Sequence, residues 1–247
     1  MVNNATWIWD PELVQNNSLK FYNFIMDKNI KRVFIQIDPD IPYMLYQQNT
    51  TALELFDVKS FALGGDPAWL NDPTGLQKFM DYVRGAQAHF VGIHIDIEPY
   101  QLPEWNTDQA GTINKFKAVI SQLKQFCIQE YLRFEIDIPF WYSLDLNQWL
   151  LENVDEVCVM AYRSFAVGQN GINLLVSPII SQADRMNKKL TVAVETLNIT
   201  PTYTSFYSNG ETVLLQEVDK VIQNFKYNRS FNGIAVHDIE SWMELKL

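Results

Sequence analysis

Short runs of Val, Ile and Phe alternate with longer segments of helical periodicity along the whole chain. Runs of about four to eight residues that are rich in β-branched and aromatic side chains predict strands, whereas apolar positions three and four apart predict helices. Their alternation predicts βα units around a parallel sheet. Eight strands are predicted, at 6–9, 32–37, 58–63, 91–97, 133–138, 157–162, 190–195 and 233–237.

Helical periodicity is strongest between the predicted fourth and fifth strands. The apolar residues there keep the spacing that buries one helix face. They are Ile113, Phe116, Val119, Ile120, Leu123, Phe126 and Cys127. Segments 76–83 and 213–225 repeat this spacing, so we expect helices there as well.

Two dipeptides mark predicted helix starts. Asp72-Pro73 and Ser177-Pro178 each place a capping side chain directly before a proline, a residue that is favoured at the first helical position. The connection 38–57 is only weakly periodic. We therefore expect a long loop there, which is able to cover a site at the edge of the sheet.

The length of 247 residues is close to the roughly 250 that an eight-fold β/α barrel requires. No glycine-rich linker, charge block or internal repeat divides the chain. We therefore predict an α/β protein with a single (β/α)₈ TIM barrel domain over residues 1–247. An open, doubly wound sheet is the alternative, but the GxGxxG turn after the first strand is missing and eight strands favour closure.

The charge balance excludes some partners. With 29 acidic and 19 basic residues, the formal net charge is -10, which repels phosphate backbones and anionic lipid surfaces. We expect neither nucleic acid nor a membrane span, and we expect a monomer. Cys127 and Cys158 lack a metal-ligand spacing and are interpreted as small buried residues. Residues 1–10 lack a leader pattern, so the chain is extracellular if a leader has been removed and otherwise cytoplasmic.

The predicted fourth strand carries the clearest chemistry. Side chains alternate across a strand, so Gly92, His94, Asp96 and Glu98 face one way and the apolar residues between them face the other. The aliphatic face must pack on the helices, which turns the acidic residues into the barrel. Glu98 then lies at the mouth formed by the carboxyl ends of the strands, where barrel enzymes place their active sites.

Two carboxyl groups on one inner face cannot both ionise freely. We expect this proximity and partial burial to keep a proton on Glu98, which makes it an acid for a glycosidic leaving group. The deeper Asp96 then remains ionised and orients the reacting sugar.

The same strand resembles the DGxDxDxE signature of family 18 glycoside hydrolases, the chitinase-like family. Gly92, Asp96 and Glu98 match the signature, whereas Val91 and His94 stand where the family has Asp. The inner carboxylate of the signature is therefore missing from this strand.

Two further elements resemble the same family in order and position. Ala62-Leu63-Gly64-Gly65 on the third strand is similar to SxGG, with Ala in place of Ser. Met160-Ala161-Tyr162 on the sixth strand is similar to MxYD, with Arg163 in place of Asp. The resemblance thus spans strands three to six.

The resemblance implies that Glu98 is the general acid/base and that Asp96 positions a 2-acetamido group, while Tyr162 steadies the intermediate. The acetamido oxygen would act as nucleophile, so no protein nucleophile is needed. The implied substrate is an N-acetylated glycan. His237 occupies the place where the family commonly has a Trp, for which Trp242 is a candidate substitute.

Two alternatives remain open. Glu195 ends the seventh strand, so Glu98 and Glu195 resemble the acid/base and nucleophile of other retaining barrel glycosidases, although Ile97 replaces the Asn that usually precedes the acid. Glu195 is alternatively a partner of Arg163. In the second alternative, the barrel binds a glycan without cleaving it.

Oxygen and imidazole donors near the strand ends also raise the question of a metal: His94, Asp96, Glu195, His237 and Asp238. The chain has three His and no HxH or HExxH spacing, so we expect neither a metal nor another cofactor.

Further residues at the predicted mouth are candidates for binding carbohydrate. Aromatic residues make up 13% of the chain, and their flat faces suit sugar rings. The predicted substrate-binding set is Trp9, Asp38, Asp66, His94, Asp137, Trp141, Met160, Arg163, Glu195, His237 and Trp242.

Overall fold

Eight parallel strands form a closed barrel among residues 3–16 and 18–246, which are the residues that the computed structural model describes. Each strand pairs with the next one in sequence, and the last pairs with the first. The strands are β1 (Asn3–Ile8), β2 (Ile30–Gln36), β3 (Lys59–Gly64), β4 (Phe90–Ile95), β5 (Arg133–Pro139), β6 (Glu156–Met160), β7 (Lys189–Glu195) and β8 (Phe231–His237).

Helices follow the strands in the chain order of a β/α barrel. They are α1 (Leu13–Asn16), α2 (Ser18–Asp27), α3 (Tyr43–Glu54), α4 (Pro73–Ala86), α5 (Glu104–Thr107), α6 (Gln109–Glu130), α7 (Leu144–Asn153), α8 (Ile172–Met186), α9 (Glu211–Phe225) and α10 (Ile239–Met243). Within the described ranges, none of them has both the length and the apolar character that a membrane-spanning helix needs.

The predicted fold class is confirmed, and all eight predicted strands are present. The largest shift is at β1, which begins at Asn3 rather than at Thr6. Helix α4 begins at Pro73 as predicted, and the Asp72 side chain accepts a hydrogen bond from the Thr74 amide at 2.9 Å.

Two predictions about helices are wrong. The connection 38–57 contains α3, which buries Tyr46 and Leu53 and therefore depends on tertiary packing more than on a regular apolar stripe. Helix α8 begins at Ile172, so Pro178 lies inside it. The buried Ile172 and Val176 extend the apolar face of α8 beyond the proline, and this packing compensates for the missing backbone hydrogen bond.

The side chains of β4 and the two residues after it alternate as the sequence predicts. Ile93, Ile95 and Ile97 are buried in the apolar layer between the sheet and the helices. His94 faces the interior of the barrel, where its ring stacks on Phe34 with the ring centroids 3.6 Å apart. The acidic residues that continue this strand therefore face inward.

The barrel interior is filled unevenly. Its apolar residues form a second core, separate from the outer one: Ala5, Trp7, Phe34, Phe61, Leu63, Cys158, Ala193 and Ala235. The large rings come from β1 to β3, whereas β7 and β8 contribute alanines at this level. This mixture of large and small side chains fills the tapered interior of a small barrel.

A buried ionic network occupies the amino-terminal part of the barrel interior. Arg32 on β2 contacts Glu156 at 2.8 Å and Glu135 at 3.1 Å, and it donates to the Thr191 hydroxyl. Arg133 lies 3.3 Å from Glu135. Two arginines thus balance two buried carboxylates.

Candidate active site at the barrel mouth

Asp96 and Glu98 lie just beyond the carboxyl end of β4. Glu98 immediately precedes a 3-10 turn, Pro99–Gln101, and is half-buried. One oxygen of its carboxylate accepts a hydrogen bond from the Tyr100 hydroxyl and the other accepts one from the side-chain amide of Gln101. Both oxygens are therefore oriented by residues of the same turn.

The glycine pair that ends β3 explains how Asp96 reaches its position. The Asp96 amide donates to the Gly64 carbonyl at 2.9 Å. A Cβ atom on Gly65 would lie 2.2 Å from the Asp96 carbonyl oxygen, which is far inside van der Waals contact. Only glycine allows the two backbones to approach this closely.

Gly65→Ala is therefore expected to displace Asp96 and to destabilise the protein by about 1–3 kcal/mol, as overpacking against a fixed backbone does. Urea denaturation measures the loss. Gly85→Ala is the matched control, because its added Cβ meets the hydroxyl end of the Tyr43 side chain instead of backbone. Equal stability of the Gly65→Ala and Gly85→Ala proteins would show that the close approach places no constraint on Asp96.

Asp96 is the carboxyl group that is electrostatically disfavoured as an anion. Burial raises the pKa of Asp96 well above its ordinary range, and the negative charges of Asp137 and Glu98 raise it further. Among the described residues, Asp96 Oδ1 is buried and has no hydrogen-bond partner. The sequence predicts that the deeper Asp96 stays ionised, whereas in the structure the burial of Asp96 raises its pKa.

Tyr162 follows β6 and lies beside the same group of carboxylates. Burial raises the pKa of Tyr162, and nearby negative charges, first that of Glu195, raise it further. Its hydroxyl group therefore keeps its proton and is available as a hydrogen-bond donor at neutral pH. The Tyr162 ring lies 6.2 Å from the ring of His237, between centroids.

Glu195, His237 and Trp9 form a chain of hydrogen bonds across β7, β8 and the end of β1. Glu195 Oε1 accepts from the amides of Thr196 and Leu197, both at 2.8 Å, and Oε2 lies 3.0 Å from His237 Nδ1. Trp9 Nε1 donates to His237 Nε2 at 2.9 Å. Burial lowers the pKa of His237, but the hydrogen bond and charge of Glu195 outweigh it and leave this pKa raised. A neutral imidazole that carries its proton on Nδ1 satisfies both contacts, because Nδ1 then donates to Glu195 while Nε2 accepts from Trp9.

Glu195 contacts His237 and not Arg163. Its partner is His237, whereas Arg163 donates to the Tyr162 carbonyl and lies over the rings of Phe140 and Tyr203. The proposed pair of Glu195 with Arg163 is therefore absent. Glu195 is only 3% exposed and both of its oxygens are hydrogen-bonded, which disfavours it as a nucleophile that must reach a sugar carbon.

A cluster of four aromatic rings lies beside Glu98. Tyr100, which holds the Glu98 carboxylate, contacts Trp141 at 5.0 Å between centroids, and Trp105 stacks on Tyr142. Trp141 is 48% exposed, so its ring presents a flat apolar face to solvent next to the acid.

A cavity of about 280 Å³ opens at the carboxyl ends of β1 to β3. Trp9 and Trp69 contribute aromatic surface to it, and Gln36, Asp66 and Lys78 contribute polar groups. The cavity adjoins the His237 network through Trp9, so apolar and hydrogen-bonding surface flanks the carboxylates on this side as well.

Several predicted substrate-binding residues lie elsewhere. His94 has no exposed surface, and Asp137 and Met160 are also buried, because they lie below the mouth. Trp242 packs in the outer core, where its indole donates to Glu211, so it does not replace the missing aromatic residue.

Asp38 and Asp66 each accept a hydrogen bond within their own turn. Asp38 Oδ1 accepts from the Asp40 amide at 2.8 Å, and Asp66 Oδ1 accepts from the Ala68 amide at 2.8 Å. Asp66 still borders the cavity, whereas the Asp38 carboxylate is committed to its own loop.

Among the residues that the structure describes, one group of donors is close enough to hold a metal ion: His94, Asp137 and Cys158, whose ligand atoms lie within 4.8 Å of one another. Asp137 Oδ2 already accepts hydrogen bonds from His94 at 2.9 Å and from Trp7 at 3.2 Å. We therefore interpret the cluster as a hydrogen-bond network. Asp238, also considered as a donor, caps α10 through the Ser241 amide.

The residues that support Asp96 and Glu98 are not among the predicted site residues. Tyr100 and Gln101 hold Glu98, and Trp7 donates to Asp137. A signal existed for Trp7, because its odd position on β1 places it inside the barrel with Trp9. The turn geometry that folds Tyr100 back onto Glu98 has no comparable signature.

The candidate site is the mouth of a β/α barrel, lined by carboxyl groups and aromatic rings. No profile of a known protein family matches the chain, and no curated protein matches it in sequence. In structure, the chain is similar to a plant class V chitinase mutant from Cycas revoluta in complex with (GlcNAc)3. The TM-score is 0.68 and the identity 13%, and the match covers 98% of this chain and 96% of that one.

Two bacterial structures are also similar. One is a GH18 chitinase from the chitin utilization locus of Flavobacterium johnsoniae, with a TM-score of 0.62, 12% identity, and coverage of 98% of this chain and 92% of that one. The other is the C-terminal domain of a chitinase from Desulfitobacterium hafniense, with a TM-score of 0.56 and 16% identity over 79% of this chain and 66% of that one. The fold is therefore that of family 18 chitinases, the family that the motifs resemble.

Proposed function

We propose that this protein is a glycoside hydrolase that cleaves an N-acetylated polysaccharide or oligosaccharide, with Glu98 as general acid/base, Asp96 assisting and Tyr162 binding the reacting group. The observation that carries the proposal is the pairing of two different carboxyl groups at the mouth. Both residues are half-buried, but Glu98 is held by two donors, whereas Asp96 has a buried oxygen, Oδ1, with no partner among the described residues.

In the proposed reaction, Glu98 protonates the glycosidic oxygen as the bond between that oxygen and the anomeric carbon breaks. The carbonyl oxygen of the substrate's acetamido group attacks the anomeric carbon and forms a cyclic cation. Glu98, now a carboxylate, then takes a proton from a water molecule that opens this intermediate. This route is the substrate-assisted exception to the two-carboxylate mechanism.

The groups around Glu98 support a substrate-assisted route. Asp96 is favoured in its protonated form, so it is able to donate a hydrogen bond to the acetamido group. Tyr162 keeps its hydroxyl proton and is a second donor. Glu195 is enclosed by two backbone amides and His237, which leaves the substrate's own oxygen as the favoured nucleophile.

Sugar rings are proposed to bind on both sides of the acid. The cavity bordered by Trp9 and Trp69 is large enough for a sugar ring and combines flat apolar surface with polar groups. The exposed Trp141 offers a stacking face on the other side. The oligomers bound in the similar Cycas revoluta structure are of N-acetylglucosamine, and we propose the same chemical class here.

The direct test is incubation of the protein with N-acetylglucosamine oligomers and with peptidoglycan, followed by mass analysis of the products. Shorter N-acetylated oligomers are expected. Deacetylated glucosamine oligomers serve as the control, because they lack the nucleophile and should stay intact. Cleavage of both substrates would favour the Glu98 and Glu195 mechanism. Binding without cleavage would overturn the hydrolase proposal in favour of a non-catalytic carbohydrate-binding barrel.

A further inference from the structure

Asp137 on β5 lies beside Asp96 in the barrel wall. The parallel register of β4 and β5 pairs His94 with Glu135 and Ile95 with Ile136. Continued by one residue, the same register places Asp96 opposite Asp137. Neighbouring strands are about 4.8 Å apart, and both side chains face the interior. Each of the two carboxyl groups has one buried oxygen with no hydrogen-bond partner in the described part of the chain.

The two carboxyl groups differ in their donors. Asp137 Oδ2 accepts from His94 Nε2 at 2.9 Å and from Trp7 Nε1 at 3.2 Å, and the Cys158 thiol lies against the same carboxylate. Asp96 makes no side-chain hydrogen bond among the residues described. Donors stabilise the charged form of a carboxyl group, and in this pair the donors surround Asp137 and not Asp96.

The cations inside the barrel are paired with carboxylates other than Asp96. Arg32 and Arg133 contact Glu135 and Glu156. Burial lowers the pKa of His94, but the charge and hydrogen bond of Asp137 outweigh it and raise the pKa to about 9. His94 is therefore a cation at neutral pH, and its nearest carboxylate is Asp137. The buried cations are thus matched without a negative charge on Asp96.

We infer that Asp137 is a positioning residue that keeps Asp96 protonated, so that the carboxylate missing from the fourth strand is supplied by the fifth. The inference rests on the proposed function for its consequence, which is a neutral Asp96 that donates a hydrogen bond to the acetamido group. Asp137 itself is only 2% exposed and acts only through Asp96.

The test is titration of aspartate carboxyl carbons by ¹³C NMR on the full chain, with the Asp96 signal assigned from its loss in Asp96→Asn. The wild-type midpoint of Asp96 is expected well above the ordinary acidic range. Asp137→Asn, which removes the charge but keeps an acceptor for His94 and Trp7, should lower it by about one pH unit or more, a tenfold loss of proton affinity. Asp137→Glu, which retains the charge, should keep it high.

Asp155→Asn is the matched control. Asp155 accepts from the Phe134 amide at 2.8 Å and precedes β6, at the opposite end of the barrel. An unchanged midpoint in this variant supports the inference. An ordinary acidic midpoint for Asp96 in the wild-type protein, which needs no variant to fold, overturns it, and so does an unchanged midpoint in Asp137→Asn. A wild-type protein that hydrolyses no glycan overturns the proposed function alone, because the titration is read without substrate.

Discussion

Glu98→Gln is expected to lower the rate of N-acetylglucosamine oligomer hydrolysis by about 10²- to 10⁴-fold, the range that a positioned general acid/base contributes. Glutamine has nearly the same shape and still accepts a hydrogen bond from Tyr100, but it has no proton to give to the leaving oxygen and no charge with which to activate water. The measurement is initial rates with a tetramer or longer oligomer. Thermal unfolding should show that the variant remains folded.

Glu104→Gln is the control for this prediction. Glu104 lies at the start of α5, a few residues after Glu98, and contacts Asn71 through its carboxylate. Its loss should leave the rate within about twofold of the wild-type rate, since the change is at the surface. If Glu98→Gln retained most of the wild-type rate, another group would have to supply the proton.

Substrate binding should survive the same substitution. The binding surfaces that we propose, around Trp9 and Trp141, do not include the Glu98 carboxyl group. We therefore expect Glu98→Gln to bind the oligomer with a Kd close to that of the wild-type protein, measured by calorimetry. A large loss of both binding and rate would show that Glu98 mainly holds the ground state.

The fold could be predicted because apolar residues recur every second position in the strands and every third or fourth position in the helices. The alternation in Ile93, Ile95 and Ile97 specifies which face of β4 meets the helices, and the outer core contains all three. Helix α3 was missed because its buried residues include Asn49 and Thr50, which an apolar pattern does not register. The burial of such polar residues depends on hydrogen bonds in the tertiary structure.

The candidate site could be predicted only for residues that lie on one strand. Asp96 and Glu98 follow from one alternating run, whereas the contact of Asp137 with His94 depends on the register between β4 and β5. The Glu195–His237–Trp9 chain likewise joins three strand ends across the barrel closure. Trp242 was assigned wrongly because the direction of α10 after β8 sets which side its ring faces.

Arg32→Met is expected to have the largest effect on stability, about 3–5 kcal/mol, because it leaves buried carboxylates without their main counter-charge. Arg32 contacts both Glu135 and Glu156, and the side chains of all three are almost fully buried. Methionine fills a similar volume, so the loss reports the charge rather than a cavity. Urea denaturation at pH 7 should show a midpoint lowered by about 1 M.

The neighbouring ion pair provides the control, since Lys31 contacts Asp57 at 3.1 Å on the surface. Lys31→Met should change the unfolding free energy by no more than about 0.5 kcal/mol, because exposed pairs are screened by water. A comparable loss in both variants would mean that the buried network has no special role.

The contribution of Arg32 to the unfolding free energy should depend on pH. Burial raises the pKa of Glu135, but the charge of Arg32 together with the contacts of His94 and Arg133 outweighs it and leaves this pKa lowered. A carboxylate with a lowered pKa in the folded state stabilises the protein above its unfolded pKa, and this contribution is lost as the pH falls through the folded value. The stability difference between wild type and Arg32→Met should therefore be full at pH 7 and narrow towards acid pH, where protonation neutralises the abandoned carboxylates. A difference that stays constant down to acid pH would attribute the loss to packing instead of charge.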